Sequence, residues 1–89
     1  MPNKELEYIP LAESDKYFTY SDMGLAAGLI EHGFELVSID KAELKAKFIF
    51  KGKKGISQAI DNYWNGKAQV NALGYFNTLK RLKSQIYSK

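Results

Sequence analysis

The spacing of apolar and polar positions changes period several times along this chain, and the changes delimit six elements. Residues 17–20, Tyr-Phe-Thr-Tyr, are aromatic and β-branched, side chains that suit a half-buried pleated surface, so a short strand is predicted there. From Ser21 to about His32 the period becomes helical. Leu25, Ala26, Leu29 and Ile30 form the apolar stripe, Ser21 is the predicted N-cap, and Asp22 puts a carboxylate in the first turn. Gly33 supplies a left-handed residue to end the helix, and Phe34 is placed to fold back on Leu29.

Residues 35–40 read as a second strand, with Val37 and Ile39 on one face and Leu36 on the other. Residues 41–44 make a turn and residues 45–51 a third strand, with Phe48 and Phe50 inward and Lys45, Lys47, Ile49 and Lys51 outward. After a loop over 52–55, Ile56, Ala59, Ile60 and Tyr63 recur at helical spacing to about Asn65, and Gly66 stops that helix. A last helix is predicted from about Ala68 to Tyr87. Its stripe is Ala72, Tyr75, Leu79, Leu82 and Ile86, widened by Leu73 and Phe76.

The order is therefore β-α-β-β-α-α, an α+β domain over 17–89. The short 41–44 turn joins an antiparallel hairpin, and the first helix is long enough to cross between parallel strands. A three-stranded mixed sheet follows, the third strand between the other two, with helices covering one face. Residues 1–16 keep neither period: Glu5-Leu6-Glu7-Tyr8 alternates until Pro10 interrupts it, and Glu13 to Lys16 is a charged run, so this stretch is expected to be an N-terminal arm.

Length and composition narrow the class. Eighty-nine residues, 45% of them apolar, suffice for one core and give little room for an enclosed ligand cavity. Cysteine is absent, which excludes disulfides and thiolate metal sites and suits a reducing cytoplasm. Neither a secretory pattern nor a membrane-length apolar run is present, so a cytoplasmic protein without a membrane partner is expected.

Charge changes the picture more. Residues 1–44 hold three basic residues against nine acidic ones, while residues 45–89 hold ten basic residues against Asp61 alone. Such asymmetry implies an anionic partner for the basic half, or an acidic half that covers it. The tract Lys45-Ala46-Lys47-Phe48-Ile49-Phe50-Lys51-Gly52-Lys53-Lys54-Gly55 is the strongest site candidate. Ammonium groups there line a strand and a loop that opens a helix, an arrangement suited to phosphates, and Lys67 adds to it. Lysines on an exposed strand also serve simply to prevent edge pairing. Gly52-Lys53-Lys54-Gly55 lacks the lead and the Lys-Ser/Thr end of a P-loop. It shares the Gly-x-x-Gly letters of a KH loop but follows a strand.

Tyr63 and Trp64, beside the Asn65-Gly66 turn, are candidates for stacking or for an interface. Lys80, Arg81 and Lys83 lie off the apolar stripe and read as a solvated face. Gly24, Ala27 and Gly28 line one helix face. Glycine inside a helix costs about 1 kcal/mol relative to alanine, so close packing on that face is expected. His32 is the sole histidine and falls at a helix end, a capping position. No serine has an evident base, and Asp40 with Glu43 does not make a metal site, so no enzyme, catalytic residue or cofactor is expected.

The blocks Tyr17-Phe18-Thr19-Tyr20-Ser21-Asp22-x-Gly24-Leu25-Ala26-Ala27, Gly33-Phe34-Glu35-Leu36, Phe48-Ile49-Phe50, Tyr63-Trp64-Asn65-Gly66-Lys67-Ala68 and Leu79-Lys80-x-Leu82-Lys83-Ser84-x-Ile86-Tyr87 together resemble a family of small uncharacterised domains of bacteria and tailed phages. The resemblance covers about residues 17–87. It implies a phage or mobile-element accessory protein, transfers no activity, and does not include the Gly52–Gly55 loop. The leading expectation is a non-enzymatic nucleic-acid-binding protein using Lys45, Lys47, Lys51, Lys53, Lys54 and Lys67. The second is a protein that binds and modulates a host protein, and the third an oligomer sequestering a small anionic nucleotide. Complementary acidic and basic halves also lead to the expectation of a homo-oligomer.

Overall fold

A computed structural model of the chain describes residues 17–42 and 44–87. The predicted arm over residues 1–16, and Glu43 with it, lie outside the described residues. The elements are β1 (Tyr17–Tyr20), α1 (Met23–Glu31), β2 (Leu36–Asp40), β3 (Lys47–Lys51), α2 (Ile56–Trp64) and α3 (Ala72–Tyr87). The sheet order is β1-β3-β2, with the last strand in the middle as the pattern predicts. Both pairings are antiparallel, so the sheet is not mixed. β1 and β2 do run the same way, but β3 separates them, and among the described residues no parallel pair is hydrogen-bonded.

Register divides the sheet into two faces. Phe18 and Leu36 flank Phe50, while Tyr20 and Ile39 flank Phe48, and these six side chains form the inner face. Phe48 and Phe50 are at most 1% exposed. They pack with Leu25, Ala26, Leu29, Ile56 and Leu82 from the three helices, so one face of the sheet is covered. On the other face Tyr17 and Lys51 are cross-strand partners, as are Thr19 and Ile49.

The boundaries carry the corrections. Asp22, not Ser21, caps α1: its Oδ1 accepts from the Leu25 backbone N–H at 2.8 Å. The end of α1 matches expectation, with Gly33 N–H donating to Ile30 O and Phe34 N–H to Leu29 O, both at 3.0 Å, and Gly33 at φ +93°. In β2 an irregularity between Leu36 and Ser38 breaks strict alternation. Leu36 and Ile39 both reach the core, whereas Val37 is 46% exposed. β3 starts at Lys47, two residues later than expected, and Lys47 is half-buried rather than fully outward. α3 starts at Ala72, not Ala68, because Asn71 Oδ1 takes the Gly74 N–H at 2.7 Å and fixes the helix start there. Leu73 and Phe76 do not widen the buried stripe; they are exposed.

Candidate functional site

The segment that follows α1 and the one that leaves β3 meet at one end of the sheet. Lys51 N–H donates to Glu35 O at 3.0 Å, which lays the segment after Gly33 against the segment leaving β3. Gly33, Glu35, Lys51, Gly52 and Lys53 line a depression of about 240 Å³ there. Two lysines and one acidic residue, Glu35, thus share this depression. Beside it runs a groove of about 560 Å³ lined by His32, Phe34, Gly55, Gln58, Ala59, Asn62, Lys67, Ala68 and Gln69. Phe34 belongs to its wall, half-buried, with the Lys53 ammonium 5.7 Å from the ring centroid.

The polar wall of the groove comes from α2 and from the chain after it. Gln58 and Asn62 are one helical turn apart, and the Gln58 side-chain amide donates to Asn62 Oδ1 at 3.0 Å. Asn62 O accepts from the backbone N–H groups of Lys67, at 2.8 Å, and Ala68, at 3.2 Å, around Gly66 at φ +73°. That turn carries Lys67, Ala68 and Gln69 onto the groove.

The lysines predicted as one surface divide into two sets. Lys51, Lys53, Lys54 and Lys67 are exposed, and all but Lys54 line these two depressions. Lys47 lies at the far end of β3, about 13 Å from Lys51 at the usual strand rise, with Asp40 as its cross-strand partner. Lys45, exposed, precedes it in the chain.

Tyr63 and Trp64 also separate. Tyr63 is half-buried against the core, and its hydroxyl donates to Asp22 Oδ1 at 3.3 Å. Burial first, then the Asp22 carboxylate and the neighbouring Tyr75, push the Tyr63 hydroxyl up to about 12. The bond to Asp22 ties the Tyr63 hydroxyl to the start of α1. Trp64 meets Tyr63 edge to face at 4.9 Å and remains 58% exposed.

The small-residue face of α1 is occupied by the same tyrosines. Tyr75 donates its hydroxyl hydrogen to Gly24 O at 3.1 Å, and both rings lie over Gly24 and Gly28. A second copy would find that face covered. His32 closes α1, donating its backbone N–H to Gly28 O and Leu29 O. Among the described residues no group of three or more metal-ligating side chains exists, and no helix is long and apolar enough to cross a membrane.

Sequence reasoning missed Phe34, Gln58, Asn62 and Gln69. The one signal available was the pair of amides at i and i+4 on the polar side of α2. A family model described as a domain of unknown function, DUF5659, matches residues 15–88. No curated protein and no solved structure matches the chain.

Proposed function

We propose that this chain, which belongs to the DUF5659 family, binds single-stranded nucleic acid without catalysing a reaction on it. The observation that carries this reading is the Lys53 ammonium over the Phe34 ring at the edge of an amide-lined groove. An unpaired base offers a flat apolar face and a hydrogen-bonding edge, and its phosphate offers charge. A half-buried ring, the amides of Gln58, Asn62 and Gln69, and the lysines at 51, 53, 54 and 67 suit these three features in turn. A duplex hides its base faces and would meet the lysines alone. The setting that the sequence resemblance implies, an accessory protein of a phage or mobile element acting in the cytoplasm, is compatible with such a role.

Fluorescence anisotropy with a labelled mixed-sequence oligonucleotide, single-stranded and as a duplex, tests the proposal. Single strands should bind more tightly, the Lys53→Ala/Lys54→Ala/Lys67→Ala variant should weaken both forms, and Asn62→Ala should weaken the single strand selectively. Absence of binding at low salt, or equal affinity for the duplex, would overturn it.

A further inference from the structure

We infer that the outward side of α3 is a docking face for one acidic amphipathic helix of another protein. Leu73, Phe76, Lys80, Lys83 and Tyr87 recur at spacings of three and four, the seam spacing of paired helices. The inward side of the same helix is already used, since Leu82 is buried and Tyr75, Leu79 and Ile86 pack on the core. A second seam is therefore left facing out. Leu73, Phe76 and Tyr87 on it are 68%, 56% and 73% exposed. Met23, Phe76, Leu79, Lys80 and Lys83 enclose a mainly apolar depression of about 290 Å³ beside it, large enough for one bulky side chain. Apolar side chains grouped in this way mark an interaction surface more often than isolated ones do.

Charge selects the occupant. α3 carries Lys80, Arg81 and Lys83 and no acidic residue. Pairing with α3 of a second copy, antiparallel, sets Lys80 against Lys80; pairing parallel sets Lys80 and Lys83 each against itself. Both orientations place like charges in the seam and disfavour self-association. A bilayer is also a poor fit, because the two lysines sit in the middle of the stripe and would be drawn under the headgroups. A helix with apolar residues on one side and carboxylates flanking them satisfies both the apolar positions and the cations. The Lys80 ammonium, 5.2 Å from the Phe76 ring centroid, holds charge and apolar surface in one place. This inference uses none of the groove residues and stands or falls separately from the nucleic-acid proposal.

The probe is a labelled helical peptide of about three heptads with leucine at the seam and glutamate flanking it, titrated with the full chain. A control peptide carries lysine in place of glutamate. The acidic peptide should saturate below about 100 µM and bind at least about tenfold more tightly than the control. Leu73→Gln with Phe76→Gln, both at exposed positions, should weaken it at least tenfold with an unchanged melting curve. Lys80→Glu with Lys83→Glu should reverse the preference towards the lysine peptide. No saturation by the acidic peptide, or binding indifferent to both double variants, would overturn the inference. So would self-association in sedimentation equilibrium, or partition onto phosphatidylserine vesicles, that the Leu73/Phe76 variant abolishes.

Discussion

The Tyr63 hydroxyl donates to the same Asp22 oxygen that caps α1, so one carboxylate oxygen joins the start of the first helix to the end of the second. Asp22 Oδ1 accepts from Leu25 N–H at 2.8 Å and from Tyr63 at 3.3 Å across 41 residues of chain. An anion with two donors is held more firmly than either donor alone would hold it. Ionised Tyr63 could not donate, and its charge would repel Asp22. Folding raises the Tyr63 pKa above its value in the unfolded chain, so the unfolded state loses the proton first as pH rises. The contribution of this pair is full below pH 10 and disappears as pH climbs towards about 12. Urea melts across that range should show the loss, and Tyr63→Phe should reduce its amplitude. A smaller alkaline loss should remain from Tyr20, whose pKa burial also raises.

Gly24→Ala should destabilise the protein although alanine is the better helix former. The added Cβ would fall within van der Waals distance of the Tyr63 hydroxyl, 3.1 Å from the Tyr75 hydroxyl and 3.2 Å from Asp22 Oδ1. Hydrogen bonds to Asp22 and to Gly24 O hold both hydroxyls in place, so the overpacking, about 1–3 kcal/mol, should outweigh the ~1 kcal/mol that removing a helical glycine returns. Gly28→Ala is the contrast. Its Cβ would meet Tyr63 and Tyr75 ring carbons at 3.7 and 4.0 Å, ordinary contact distances, and should raise the melting temperature. In a double-mutant cycle Tyr63→Phe should offset part of the Gly24→Ala loss, since it removes the obstructing oxygen.

Thr78→Val should weaken the attachment of α3 to α1. Thr78 is 3% exposed and donates its hydroxyl hydrogen to Glu31 Oε2 at 2.6 Å, linking residues 47 apart. Valine keeps the volume and deletes the donor, leaving a partly buried carboxylate short of one partner, at a cost of about 1.5–3 kcal/mol. Thr78→Ser, which retains the hydroxyl, should lose clearly less. Chemical denaturation of the two variants separates the hydrogen bond from the methyl group.

Phe50→Ala should remove most of the stability. Phe50 is fully buried in β3, the middle strand of the sheet, flanked by Phe18 and Leu36. Cavities of that kind cost about 3–5 kcal/mol, most of what a domain of this length has. A cooperative melt near the wild-type temperature would contradict the register given above.

Oligonucleotide affinity should fall steeply with salt, with a log–log slope of about −0.7 per phosphate contacted on a single strand. Replacing Lys51, Lys53, Lys54 and Lys67 with alanine should flatten that slope. Replacing Lys45 and Lys47, at the other end of β3, should change it less.

Period two was enough to read β3: Phe48 and Phe50 fall on the face opposite Lys47 and Lys51, and burying lysine is costly, so the inner face was legible in the sequence even with Ile49 on the outer one. The β2–β3 pairing was legible as well, because the short turn after Asp40 leaves β3 little choice but to pair with β2. The fate of α3 was not. Leu73 and Phe76 match its apolar stripe in spacing, and only the packed helices show that Tyr75, Leu79 and Leu82 already fill the available face. The groove was hidden for a different reason. Phe34, Gln58 and Gln69 are distant in the chain, and the turns at Gly33 and Gly66 that bring them together state a local conformation without a direction. Gly24 and Gly28 announced a close neighbour, but nothing in the sequence identified two tyrosines from different helices as that neighbour.

With β3 in the middle of the sheet and last among the strands, the sheet has no template until residue 51 has been made. A nascent chain emerging from the ribosome carries β1 and α1 as segments with no partner strand, and the first pairing open to it is the local β2–β3 hairpin. β1 must then be recovered across some thirty residues, a loop closure that is slower than the hairpin and comes after it. Synthesis order and assembly order are therefore reversed for the N-terminal strand. Until β1 docks, one side of β3 is an unpaired edge, the kind of strand that can pair with another chain.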